Sequence, residues 1–220
     1  MILSESHKRF ITAMLLGTGF WIIFFYAHIL MFSVVLIGIL ITILAKEWTV
    51  LFKHNKILYW ILMPFYPVLP FIILLYFNHD IHYRILLYYL FLLVFSFDTG
   101  AYIVGTLIGR HKIIPFVSPH KTIEGCIGGF FSAIIVFYFA LWEDGLHMSY
   151  NTAISFVLIV CMIAFFGDMF ESLLKRQARL KDSGNSLPGH GGFLDRFDAV
   201  MMVSFFFFLF RNQLINLFIT

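Results

Sequence analysis

The sequence predicts an all-α polytopic membrane protein: about seven transmembrane helices, one domain over residues 1–220, and one charged, glycine-rich loop held at the cytoplasmic face. Three observations lead there. Hydrophobic residues make up 61% of the 220 positions and charged residues 12%, with a mean hydropathy of +0.92, whereas soluble domains carry about 25% charge. The apolar residues fall in long runs, each near the roughly 20 residues a bilayer requires. Ten of the charged residues crowd into positions 167–198.

The runs occupy about 10–26, 29–45, 57–77, 85–108, 127–142, 152–167 and 199–219. Before the first stands Ser4-Glu5-Ser6-His7-Lys8-Arg9, which imitates a signal peptide but lacks a small-residue cleavage site, so the run reads as a retained span. Ala27-His28 alone separates the first two runs and predicts a tight hairpin. Pro64, Pro67 and Pro70 interrupt the third; kinks of this kind survive where neighbouring helices satisfy the freed backbone. The fourth contains Asp98, an ionisable group inside a span and so a functional candidate, about 18 Å from Arg110 along a continuous helix. Gly100, Gly105 and Gly109 on the same run allow close helix contacts or a break. The fifth follows a glycine-rich start, and the sixth ends at Gly167-Asp168. The seventh begins after Asp198, its phenylalanines at 205–208 reading as packing or lipid-facing residues with no cofactor. Cys126 and Cys161, each beside or within an apolar run, indicate no disulfide framework.

Orientation follows from the basic residues. With the amino terminus inside, all of the 15 Lys and Arg except Arg84 and Arg211 fall on inner segments, which places the charged loop in the cytoplasm and favours an odd number of spans. The formal charge of +3 gives no basis for a nucleic-acid partner. Glu47, in Lys46-Glu47-Trp48 at the inner end of the second run, reads first as part of an interfacial anchor, with a role in a site left open. Asn78-His79-Asp80-Ile81-His82-Tyr83-Arg84 and Glu143-Asp144-Gly145-Leu146-His147 read as solvated loops, their spacing fitting no metal site.

Within residues 167–198, Asp168, Glu171, Ser172, Lys175 and Arg179 recur at helical spacing and share one face. Ser183-Gly184-Asn185-Ser186 and Pro188-Gly189 break that helix, and Gly191-Gly192 leaves backbone able to approach a ligand closely. A second helix opens with Asp195 and Asp198. Carboxylates converging with several cations suit a polyphosphate bound through a divalent metal: acids and phosphates share the ion, and Lys and Arg neutralise the remaining charge. Glycine amides and His190 are available to complete a cradle. A single histidine is too little for zinc.

The order Ser172-x2-Lys175-Arg176-x4-Lys181-Asp182-x-Gly184-x2-Leu187-Pro188-x-His190-Gly191-Gly192-x2-Asp195-Arg196-x-Asp198 closely resembles the signature of phosphatidate cytidylyltransferases, the CDP-diacylglycerol synthases, with no departure along its length. Ser118-Pro119-His120-Lys121-Thr122-Ile123-Glu124-Gly125 resembles that family's second motif, with His120 in place of its first lysine. The resemblance is weak over the first 90 residues. It implies a nucleotidyltransferase of phospholipid biosynthesis in a bacterial inner membrane that transfers a cytidylyl group from CTP to phosphatidic acid. Asp168 and Asp195 would be the metal ligands and, with Lys175 and Arg196, the catalytic group; Asp198 would be a third carboxylate or a partner behind the metal ligands, counted with the residues that meet substrate. Ser118, Lys121, Thr122, Glu124, Ser172, Arg176, Lys181, Asp182, His190, Gly191, Gly192 and Asp98 would meet substrate. Magnesium is the implied ion, with room left for a second, monovalent cation and for a homodimer. A CTP-dependent lipid-alcohol kinase and a membrane transporter are the alternatives; CDP-alcohol phosphotransferases are set aside because their Asp-Gly-x2-Ala-Arg motif is absent.

Overall fold

The computed structural model of the chain describes residues 17–187 and 191–219. The beginning of the first predicted span, and Pro188 and His190 of the glycine loop, lie outside these residues. Helices dominate: α1 Gly17–Tyr26, α2 Ile29–Leu51, α3 Lys56–His79, α4 Arg84–Ile108, α5 Ile123–Glu143, α6 Tyr150–Gln177, α7 Leu194–Leu209 and α8 Arg211–Ile219. Between α4 and α5 lies an antiparallel hairpin, β1 Lys112–Ile114 with β2 Ser118–Thr122. Helices α2 to α6 are each long and apolar enough to cross a membrane. The chain is an integral membrane protein.

The seventh run differs from the expected single span. It breaks at Phe210 into α7 and α8, bent by 84°. Arg211-Asn212-Gln213 cannot prolong an apolar helix, and the Arg211 guanidinium donates to the Phe208 carbonyl (2.9 Å) that the break exposes, its cation lying over the Phe208 ring. α6 instead exceeds its expected length, carrying the apolar run straight into the charged segment. It ends before Arg179, which adopts φ +57° while the Leu180 amide reaches back to the Lys175 carbonyl. That left-handed cap removes Arg179 from the helical face predicted for it.

Two compact units result, each drawn from two stretches: the chain up to Asp80 with Leu174–Phe197, and Ile81–Leu173 with the chain from Asp198 onward. In the first, Phe32, Leu36, Ile39 and Ile43 form a buried stripe at spacings of four, three and four along α2. Asn78 of α3, fully buried, donates to the Ile29 carbonyl (3.0 Å) and the Ser33 hydroxyl (2.9 Å). Both α2 and α3 contain a wide π turn, at Ile43–Glu47 and Pro64–Val68. The second contains Pro67 and lets α3 run on past the missing amide instead of breaking. The first brings Trp48 inward beside Glu47, both fully buried.

In the second unit α4 and α5 meet backbone to backbone, as the glycines of both runs predict. A Cβ on Gly129 would stand 2.6 Å from the Phe97 carbonyl, and one on Gly125 would stand 2.8 Å from that of Ala101. Thr122 caps α5, its hydroxyl accepting from the Gly125 amide (3.1 Å). At the far end the Tyr89 hydroxyl donates to Asp144 (2.6 Å) while its ring stacks on Phe218 at 4.4 Å.

Candidate functional site

Among the described residues, each unit contains a cluster of acidic side chains that an apolar core would otherwise exclude. In the second unit, Asp168, Glu171 and Asp198 each offer an oxygen, and these lie within 4.8 Å of one another. Helical spacing puts Asp168, Glu171 and Ser172 side by side on α6. Gly167 lets α7 approach: a Cβ there would meet the Asp198 carbonyl at 3.0 Å and the Met202 side chain at 2.9 Å. Glu171 is fully buried and Asp198 nearly so. Lys121, delivered by β2, pairs with Asp168 (2.5 Å) and lies over the Phe165 ring, while the Ser172 hydroxyl donates to the other Asp168 oxygen (3.3 Å). Asp98 lies on an exposed face of α4.

Like charges at this range repel by about 4 kcal/mol per pair at an effective dielectric of 20. Lys121 offsets part of that. Three carboxylates gathered at ligand distance therefore fit a divalent cation with oxygen preference, as magnesium has.

In the first unit, Asp195 is ringed by donors. Its Oδ1 accepts from Lys175 Nζ (2.6 Å), and its Oδ2 from the Ser183 amide (3.0 Å), the Ser183 hydroxyl (2.9 Å) and the Gly192 amide (2.8 Å). Gly191 adopts φ +79°, where a Cβ would crowd Asp195 Oδ2 at 2.7 Å. Glu47 sits alongside: its Oε1 accepts from the Phe193 amide (2.9 Å) and its Oε2 from the Leu194 amide (2.7 Å), and it shares with Asp195 the single proton of the Ser183 hydroxyl, which lies 3.3 Å from Glu47 Oε2 and nearer Asp195.

The two acids expected to share an ion lie one in each unit. Asp168 gathers with Glu171 and Asp198; Asp195 is engaged with an ammonium, two amides and a hydroxyl. Asp198, expected as a third carboxylate, is one of the gathered three. Of the residues expected at substrate, Lys121 and Ser172 stand at the acidic cluster and Lys175 at Asp195. Glu124 instead accepts from the Arg110 and His111 amides and pairs with His111 Nδ1 (2.5 Å), tying the hairpin to α5. Thr122 serves as the cap described above. Ser118 is half-buried in β2; Arg176, Lys181, Asp182 and Arg196 are exposed. Arg176 donates to the Leu180 carbonyl (3.0 Å). His190 lies outside the described residues.

Three residues escaped the list read from the sequence. Glu171 was visible through its spacing of three from Asp168. Glu47 is no interfacial anchor: it is fully buried and bonded across 136 positions or more, a relationship no local pattern announces. Ser183 lay inside the signature at a position the signature leaves open.

The cytidylyltransferase family matches residues 50–214. A phosphatidate cytidylyltransferase of Staphylococcus aureus (strain COL) is 46% identical over 126 residues, covering 57% of this chain and 47% of the relative. Those of Staphylococcus epidermidis (strain ATCC 12228) and Staphylococcus haemolyticus (strain JCSC1435) are 47% and 46% identical over 113 and 115 residues, covering 51% and 52% of this chain and 44% of each relative. The chain spans about half the length of the curated relatives it matches. With the family matched over most of its residues, this chain belongs to the cytidylyltransferase family.

Proposed function

We propose that the chain transfers a cytidylyl group from CTP to phosphatidic acid, at the cytoplasmic face of a bacterial inner membrane. An oxygen of the lipid phosphomonoester attacks the α-phosphorus of CTP, the bond from that phosphorus to the bridging oxygen breaks, and pyrophosphate leaves. CDP-diacylglycerol remains in the bilayer. The observation that carries this reading is the trio Asp168, Glu171 and Asp198 beside Lys121, in a chain bearing the whole signature of residues 172–198.

The chemistry asks little of a base, because a phosphomonoester is largely ionised near neutral pH. It asks for alignment and for neutralisation of charge on the phosphates. Magnesium held by the three carboxylates would supply part of that neutralisation. Lys121 sits where it can exchange its Asp168 contact for a phosphate oxygen, and the exposed Arg176, Lys181 and Arg196 are placed on the signature to gather anions. Building the acids on membrane helices brings the reaction to a substrate whose acyl chains never leave the lipid.

The test is purified protein in mixed micelles with phosphatidic acid, magnesium and CTP labelled at the α-phosphate. Label should become organic-soluble, and pyrophosphate should appear in equal amount. Transfer of γ-label to a lipid alcohol would instead make the chain a lipid kinase, and no transfer of either label would sink both.

A further inference from the structure

Glu47 lies outside the acidic trio, yet it is fully buried, and among the described residues its carboxylate accepts hydrogen bonds from Ser183, Phe193 and Leu194 of the signature stretch. The donors come from both sides of the glycines: the Ser183 hydroxyl before them, and the Phe193 and Leu194 amides after them. Those amides belong to the beginning of α7. The first amides of a helix have no intrahelical partner, and with the helix dipole behind them they make a ready site for an anion. Glu47 fills it.

The loop is also shaped around this side chain. A Cβ on Gly184 would stand 2.8 Å from Glu47 Cγ, and one on Gly192 would stand 2.6 Å from Glu47 Cδ and Oε2. Only glycine allows the chain to close on the carboxylate from these two directions. The buried stripe of α2 leads to it, since Glu47 follows Ile43 by four residues in the wide turn.

The amide of Gly192 is taken by Asp195 and those of Phe193 and Leu194 by Glu47. Among the described residues, these three amides are therefore engaged by the protein's own acids. We infer that Glu47 is a positioning residue, a resident anion that fills the start of α7, closes the signature loop, and through the shared Ser183 hydroxyl sets Asp195 and the Lys175 ammonium. The inference rests on the proposed cytidylyl transfer for its kinetic arm alone.

The experiment compares the full chain with Glu47→Ala and Glu47→Gln by amide hydrogen exchange and by CTP turnover. In Glu47→Ala the amides of 193 and 194 lose a charged acceptor, so exchange there should quicken by at least about tenfold, while peptides of α4 and α5 keep their wild-type rates. Formate, which restores a carboxylate to the vacated space, should return both the protection and part of the lost kcat; formamide should not. Glu47→Gln keeps the size and one acceptor, and should speed exchange by less than Glu47→Ala, which keeps the test alive if the alanine variant does not fold. Unchanged exchange at 193 and 194, equal acceleration throughout the protein, or equal rescue by formate and formamide would each overturn the inference. A wild-type chain inert toward CTP would remove the proposed reaction and leave the exchange measurements to decide the role of Glu47.

Discussion

Lys175 Nζ lies 2.6 Å from Asp195 Oδ1, with 11% and 8% of the two side chains exposed. An ion pair so enclosed has given up most of its hydration, and its worth lies in being complete. Removing one partner of a buried pair costs about 3–5 kcal/mol, because the survivor is left as an unpaired charge. Lys175→Met alone should destabilise the protein by about that amount. Adding Asp195→Asn should recover more than half of the loss without restoring turnover, as read by thermal denaturation in detergent and by the labelled-CTP assay.

The acidic trio predicts a different pattern. Asp168→Asn, Glu171→Gln and Asp198→Asn each thin a crowded group of acids, so each variant should remain folded without metal. Turnover should nevertheless fall by at least about a hundredfold in each, on the scale seen when a group stabilising transition-state charge is lost. Glu171→Gln decides most, since the paired acids read from the sequence did not include it. Near-normal activity in that variant would exclude Glu171 from the metal site.

Metal removal provides the matching control. Chelation should abolish label transfer and magnesium should restore it. In the wild type the added ion should raise thermal stability, because a ligand bound only to the folded state stabilises it by mass action. The three single variants should lose most of that gain.

Lys121 bridges the acids and the solvent side of the hairpin. Lys121→Met removes an ammonium paired with Asp168 and should raise KM for CTP about tenfold or more, the cost of one charge-assisted contact. Lys121→Arg should retain most of the affinity. Equal losses in both would point to packing against Phe165 as its main role.

Gly129→Ala tests the α4–α5 contact away from either cluster. The added methyl meets the Phe97 carbonyl at 2.6 Å, and backbone cannot step aside as a flexible side chain would. Overpacking of this kind costs about 1–3 kcal/mol. Gly145→Ala has open space around it but requires φ +67°, so its smaller penalty should come from backbone strain alone.

By itself the sequence determined the membrane class, the positions of most helices, and the stretch where chemistry is concentrated. Hydropathy and charge are properties of the chain, and bilayer thickness converts them directly into spans. The spacing of Asp168 and Glu171, the glycines of α4 and α5, and the loop break after Asp182 were legible for the same reason, since each is local. Only the tertiary structure decided that α7 turns at Phe210, that Asp198 comes to Asp168 and Glu171, and that Asp195 is claimed by Lys175 and Ser183. It alone revealed Glu47 at the start of α7. Glu47 meets donors 136 or more positions away, and Asp198 reaches Asp168 and Glu171 from another helix; no periodicity along one chain encodes either meeting.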